Sequence, residues 1–221
     1  MDYLIHTLLN QAKAKLLTDK ISSNETYWVE GKNTAGSHAA KVKKNLQLNI
    51  NSDPAIQSSE NVIELIKHDQ LLKSYCLPRR IHGVMFSKSS QGDGYGTHVD
   101  NAYMNSGRSD LSFTLFLSNP NEYKGGELCI QTLQGSQKIK LKAGQIVIYP
   151  STSLHYVSTV KQGIRFACIG WIQSYIASNE DRSILFGLDA GARGLLAKHG
   201  QSDQLDLIFQ SYNNLLRRLG D

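Results

Sequence analysis

Ile164-Arg165-Phe166-Ala167-Cys168-Ile169-Gly170-Trp171-Ile172 is an almost unbroken apolar run that carries one charge, at Arg165. Its β-branched and aromatic content, without Pro and with turn residues before it, reads as a buried strand. Working outward, similar short β-rich runs lie at 81–86, 111–117, 128–132, 139–141 and 146–149, parted by Gly, Pro, Asn and Ser turns. So many short strands in one stretch indicate a sandwich or jelly roll. The fold expected is α+β with a mainly β core, a double-stranded β-helix flanked by N-terminal helices and a helical C-terminal extension. The divisions expected are 1–77 for the supporting helices and edge strands, 78–176 for the jelly-roll core and 177–221 for the extension.

Before this region, Ile5, Leu8, Leu9, Ala12, Leu16 and Leu17 recur at helical spacing and predict a first helix of about 15 residues. Residues 22–40 read as loop with one edge strand near Tyr27 and Trp28, and Leu46, Leu48 and Ile50 alternate as a half-buried strand. Residues 62–72 return to helical spacing behind Ser58, Ser59 and Asn61 as N-cap candidates. Beyond the core, Gly187, Gly191 and Gly194 predict a broken helix pair over 181–199. Leu205, Ile208, Tyr212, Leu215 and Leu219 then form a narrow apolar seam that packs on the body or on a second copy.

Composition narrows the function class. The 221 residues carry 24 Lys plus Arg against 19 Asp plus Glu, a net charge of +5, and 40% are hydrophobic. That is ample for a core and excludes a disordered chain. No stretch approaches the roughly 18 continuous apolar residues of a membrane span. Asp2 stands where a signal peptide needs basic residues, so a cytoplasmic location is expected. Cys76, Cys129 and Cys168 are widely spaced, without a CxxC pair, and read as buried reduced thiols.

Among seven histidines, His98 and His155 stand out by their neighbours. In His98-Val99-Asp100 the imidazole and carboxylate, two apart on an extended chain, point the same way. His155 follows the Tyr149-Pro150-Ser151 turn, and Arg165 lies ten residues beyond it. Two His and one carboxylate compose the facial triad of non-haem Fe(II) oxygenases, which leaves positions open for a chelating cosubstrate and dioxygen. A structural zinc site would instead be closed by four protein ligands. A guanidinium in so apolar a strand needs an anionic partner, and no acidic residue lies in that strand. A dicarboxylate ligand would supply the charge through a bidentate pair. The bland alternatives are a loop-capping His98, a core His155 and an Arg165 paired with a distant Glu.

The runs His98-Val99-Asp100-Asn101-Ala102, Arg108-Ser109-Asp110-Leu111-Ser112, Gly125-Gly126-Glu127-Leu128 and Tyr149-Pro150-Ser151 with Ser153-Leu154-His155 resemble the bacterial PKHD-type hydroxylases. These are the PiuC-like branch of the prolyl 4-hydroxylase superfamily of Fe(II)- and 2-oxoglutarate-dependent dioxygenases. The resemblance implies that His98, Asp100 and His155 hold Fe(II) and that Arg165 binds the distal carboxylate of 2-oxoglutarate. It implies side-chain hydroxylation of the prolyl or lysyl type, or of a related small substrate, an association with iron uptake, and L-ascorbate as reductant. Arg in place of Lys at 165 fits the bacterial branch and weakens transfer of a collagen-type substrate.

Tyr95 is a candidate hydrogen-bond donor to the cosubstrate, equally a packing plug, and Asn101 and Trp171 are candidate supports for the ligands. Gly92, Gly94 and Gly96 lack the spacing of a dinucleotide loop and read as a lid or substrate-binding edge. Gly125-Gly126 reads as a hairpin turn with no chemistry.

Three other classes compete. A nucleic-acid demethylase needs a basic groove with stacking platforms, whereas Lys41/Lys43/Lys44, Arg79/Arg80 and Arg217/Arg218 are small, scattered clusters that read as solvated charge. A cupin-like metal-binding module would not need Arg165. An assembly protein is favoured only by the heptad-like tail, which an oligomeric enzyme explains equally well. The partners expected are 2-oxoglutarate, dioxygen and a peptide, protein or small-molecule substrate, with a homo-oligomer through the last helix as a further expectation.

Overall fold

The computed structural model describes residues 3–34, 43–104 and 106–221. The chain opens with β1 (Leu4–Thr7), α1 (Gln11–Ile21), β2 (Trp28–Glu30), β3 (Lys43–Lys44), β4 (Leu46–Leu48), α2 (Asp53–His68) and α3 (Gln70–Cys76). The middle is all strand: β5 (Pro78–Ser89), β6 (Gly94–His98), β7 (Tyr103–Met104), β8 (Gly107–Arg108), β9 (Leu111–Phe116) and β10 (Tyr123–Gly125). It continues with β11 (Leu128–Thr132), β12 (Gly135–Ile139), β13 (Gln145–Pro150), β14 (His155–Val157), β15 (Val160–Gly163) and β16 (Arg165–Ser174). Two helices, α4 (Asn179–His199) and α5 (Asp203–Leu219), close the chain.

A seven-stranded sheet in the order β1-β13-β9-β16-β5-β4-β2 faces a five-stranded sheet in the order β12-β11-β14-β6-β3. Phe116, Val147 and Tyr149 of the first meet Leu128, Ile130 and Ile139 of the second in one apolar cluster between the sheets. The outer face of the large sheet is covered by helices, with Leu17, Ile21, Val62, Ile66 and Leu72 packed on Leu115, Ile146, Ile148 and Cys168. This is the expected jelly roll.

Both faces of β9 are buried, yet they differ. Leu111, Phe113 and Leu115 join the helix-side core, whereas Ser112 and Thr114 line a cavity between the sheets. Period-two alternation thus places small polar groups inward. Gly83 sits opposite a register shift where β5 pairs β16. Its φ is +60°, and a Cβ there would lie 2.6 Å from the Trp171 ring, so only glycine admits both the turn of the backbone and the indole.

Several local expectations are corrected. Leu4–Thr7 is a strand, paired with β13 and alternately half-buried and exposed, and the helix starts only after Asn10, whose side chain accepts from Lys13 N–H. A sheet edge and a strong N-cap override the apparent helical spacing. Its buried face is Ala14, Leu17 and Ile21, and Leu16 is exposed. The second helix begins at Asp53 behind Ser52, not at the later serines, and Asp69 breaks it before α3 by accepting from Leu72 N–H. Ile50 lies beyond β4 and is exposed, and β12 spans Gly135–Ile139 rather than 139–141.

Residues 179–199 form one unbroken helix, not a pair. Ser178 caps it, Glu180 and Asp181 occupy its first turn, Lys198 and His199 its last, and Leu185 and Ala192 are buried. Buried Asp189 accepts from Ser74 at 2.6 Å and from Arg193 at 2.9 Å, tying the helix to α3. These contacts outweigh a helix penalty of about 1 kcal/mol per glycine. Among the described residues no helix is long and apolar enough to cross a membrane.

Candidate metal centre

Strand β6 ends at His98 and β14 begins at His155, and the two residues are direct cross-strand partners. Their rings lie 4.2 Å apart between centroids. Asp100, just past β6, places Oδ1 3.9 Å from His98 Nε2 and Oδ2 3.9 Å from His155 Nε2. One donor atom from each of the three lies within 4.8 Å of the others, so a single ion could bind all three.

The tautomers follow from the partners. His98 Nδ1 is 2.8 Å from the Gly96 carbonyl and His155 Nδ1 is 3.0 Å from the Ser153 carbonyl. A carbonyl only accepts, so each Nδ1 carries the proton and each Nε2 presents a lone pair to the centre. Burial, with His155 nearby, pushes the pKa of His98 down to about 4, which keeps that imidazole a neutral donor. Asp100 Oδ2 accepts from Ser112 Oγ at 2.6 Å, and Ser112 Oγ is 2.7 Å from Ser151 Oγ.

A cavity of about 950 Å³ opens over the triad and reaches Arg165. Arg165 is 3% exposed and its Nε has no hydrogen-bond partner among the described residues. Its electrostatic neighbours are the phenols of Tyr123 and Tyr149, not a carboxylate, and burial lowers its pKa below the usual guanidinium value. The guanidinium carbon lies 5.3 Å from the Phe116 ring centroid. Gly126 backs it: φ is +67°, and a Cβ would come within 3.1 Å of Arg165 Cδ. This left-handed glycine therefore packs against the guanidinium stem, and its segment is no hairpin, since β10 pairs β15 rather than β11. A buried cation with an unsatisfied donor, lining the same chamber as two imidazoles and a carboxylate, fits a dicarboxylate that also reaches a metal.

Tyr95 lines the cavity and stacks on His98 at 3.8 Å with 24° between planes. Burial, then Asp100, push its phenol up to about 12, so it stays protonated. The glycine-rich approach containing it is strand β6 of the small sheet, and Gly94, Tyr95 and Thr97 line the cavity, so of the two readings of this segment the structure has an edge of the chamber rather than a lid. Trp171 lines the chamber, and Asn101 lies exposed at its edge without a hydrogen bond to the triad. The observed supports are instead the Gly96 and Ser153 carbonyls and Ser112.

Sequence reasoning passed over Ser112, Thr114, Tyr149 and Lys43. The first two could have been found as polar residues on the inward phase of an apolar strand. Lys43 is no solvated charge: it is 9% exposed, lines the cavity, and holds its ammonium 5.3 Å from the Tyr95 ring centroid. Burial, partly offset by Asp100, lowers its pKa to about 8. Lys41 lies outside the described residues.

Residues 84–173 match the family model of the 2OG-Fe(II) oxygenase superfamily, and residues 179–221 match that of the PKHD-type hydroxylase C-terminal domain. A PKHD-type hydroxylase of Prochlorococcus marinus (strain MIT 9211) is 63% identical and covers 100% of both chains. One from Synechococcus sp. (strain CC9902) is 52% identical and covers 99% of both. In fold, the chain is similar to a Pseudomonas putida prolyl-4-hydroxylase, with a TM-score of 0.58, 15% identity, and coverage of 78% of this chain and 92% of that one. It is also similar to a Trichoplax adhaerens prolyl hydroxylase solved with a hypoxia inducible factor peptide fragment, with a TM-score of 0.60, 16% identity and coverage of 83% and 86%. Full-length relatives at such identity place the chain in one family: it belongs to the PKHD-type hydroxylases, 2-oxoglutarate-dependent dioxygenases of the 2OG-Fe(II) oxygenase superfamily.

Proposed function

We propose that His98, Asp100 and His155 hold a ferrous ion, that Arg165 binds the distal carboxylate of 2-oxoglutarate, and that the enzyme hydroxylates an amino-acid side chain of the prolyl or lysyl type. In balance, R–H, 2-oxoglutarate and dioxygen give R–OH, succinate and carbon dioxide. The observation that carries the reading is the buried Arg165, its Nε unpartnered, facing the same chamber as the triad.

When bound, the ferrous ion supplies the activation of dioxygen that drives oxidative decarboxylation of the keto acid. The chain supplies everything else. Arg165 sets the direction in which the diacid lies and offsets its charge, the Phe116 face and Gly126 hold the guanidinium in place, and Leu128 and Ile169 give the chamber lining apolar surface that water does not compete for. The Nδ1–H bonds to Gly96 and Ser153 keep both imidazoles aimed, and the stacked Tyr95 blocks rotation of His98. With that much fixed, the remaining chamber volume orients the target C–H.

Side-chain hydroxylation is supported by the hydroxylase relatives and by the prolyl hydroxylases that share the fold. The links to iron homeostasis and to ascorbate rest on the PiuC-like resemblance. Succinate release under Fe(II) and air, with peptide, amino-acid and nucleic-acid substrates in separate arms and with or without ascorbate, tests the reading. Succinate dependent on both Fe(II) and a proline- or lysine-bearing substrate is expected. Stimulation by alkylated nucleic acid alone, or no turnover with retained metal, would overturn it.

A further inference from the structure

Asp100 could offer a metal either one oxygen or two, and the choice decides what else can bind. Two imidazoles and one carboxylate oxygen leave three positions of an octahedral ion open, whereas a bidentate carboxylate leaves two. A keto acid that chelates through two atoms, together with dioxygen, needs three. Something in the chain must therefore keep Asp100 to one oxygen.

The Ser112 hydroxyl has a single proton, and its 2.6 Å contact to Asp100 Oδ2 uses it, since an ionised carboxylate has none to give. Ser112 Oγ must then accept in its 2.7 Å contact with Ser151, so Ser151 is the donor there. The two hydroxyls form a one-way chain that ends on Oδ2. Both serines are 3% exposed, which shields the chain from competing water. Ser112 is held by the central strand β9, cross-strand from Tyr149, and Ser151 N–H donates to the Asp110 carbonyl at 3.1 Å. Oδ1, on the His98 side, accepts no such bond from Ser112.

We propose that Ser112, polarised by Ser151, is a positioning residue that ties down Oδ2 so that Asp100 presents only Oδ1 to the metal, thereby keeping open the third position that 2-oxoglutarate and dioxygen together require. The inference rests on the proposed metal and cosubstrate site. It predicts a loss confined to the dioxygen position: removing the hydroxyl frees Oδ2 to close on the ion, which leaves Fe(II) affinity and the two positions of the keto-acid chelate intact while filling the third.

The test is anaerobic titration of the full chain with Fe(II) alone, then of the Fe(II)-loaded chain with 2-oxoglutarate, both followed by calorimetry, and last of the chain loaded with both with nitric oxide as a stand-in for dioxygen, followed by absorbance. For Ser112→Ala, Fe(II) and 2-oxoglutarate binding no weaker than in the unaltered chain is expected, with the nitric oxide dissociation constant raised roughly tenfold or more, the loss expected of one hydrogen bond to a charged group. Ser112→Thr, which keeps the hydroxyl, should restore it, and Ser151→Ala should show a smaller rise in the same direction. Weaker binding of Fe(II) or of 2-oxoglutarate, an unchanged nitric oxide affinity, or a Thr variant no better than Ala overturns the inference. If Ser112→Ala does not fold, Ser151→Ala and Ser112→Thr carry the same comparison. An unaltered chain that binds no Fe(II) would instead defeat the proposed function itself.

Discussion

Replacing Arg165 with Met separates a cosubstrate-binding role from a structural one. Met matches the length of the guanidinium stem and keeps apolar contact with Phe116 and Gly126. Without a dicarboxylate, the unaltered chain buries a cation whose Nε is unsatisfied and whose pKa burial has lowered. Swapping such a group for a well-packed hydrophobe is neutral or stabilising, by up to about 1–4 kcal/mol. The bound diacid, by contrast, loses its partner. Breaking a buried charge pair costs about 3–5 kcal/mol, which corresponds to roughly two to four orders of magnitude in the 2-oxoglutarate dissociation constant. Thermal unfolding with Mn(II) present reads both effects at once. At a hundred times its dissociation constant, 2-oxoglutarate stabilises the unaltered chain by about 2.7 kcal/mol, and the same concentration stabilises Arg165→Met by about 0.4 kcal/mol at most. A variant that unfolds several degrees earlier without ligand, yet is still stabilised by 2-oxoglutarate, would show that Arg165 serves the core and would refute the reasoning.

Three further outcomes are expected. Gly126→Ala places a Cβ about 3 Å from Tyr123, Arg165 and Val160 at a left-handed φ, so stability falls by about 1–2 kcal/mol and 2-oxoglutarate affinity falls with it; unchanged values in both titrations count against the cradle. Gly191→Ala, on an exposed turn of α4 where a Cβ meets nothing within 4 Å, raises the denaturation midpoint by the equivalent of roughly 0.5–1 kcal/mol; a fall would mean the glycine has a role in contact with another element. Cys76 and Cys168 are fully buried, with thiol pKa values pushed up by that burial, and Cys129 is buried too, so alkylation of the native chain followed by mass spectrometry finds none of the three modified. Labelling before denaturation would contradict this.

What the sequence made legible follows from which physics is local. The β-rich run at 111–117 and the continuous apolar run at 164–172 signalled buried strands, because burial on both faces leaves a composition signature. His98, Asp100, His155 and Arg165 were legible as an ordered set of unusual residue types, and the fold brings them to one chamber. Other features depended on contacts between distant segments. Leu4–Thr7 has helical spacing but borrows its hydrogen bonds from β13, and no local pattern announces a sheet edge 140 residues away in sequence. Gly187, Gly191 and Gly194 argued for a break, which Asp189, anchored to Ser74, and a capped first turn override. Ser112 and Lys43 carry ordinary residue types, and only their placement against Asp100 and Tyr95 gives them meaning.

The central claim is that one ferrous ion and one 2-oxoglutarate share the space between His98, Asp100, His155 and Arg165. Anaerobic calorimetric titration of 2-oxoglutarate into the chain, with and without Fe(II), tests it most directly when repeated on His155→Ala. The account predicts one 2-oxoglutarate bound per chain, only when Fe(II) is present, and none in the variant. Binding that is indifferent to Fe(II), or that survives His155→Ala unchanged, would contradict it.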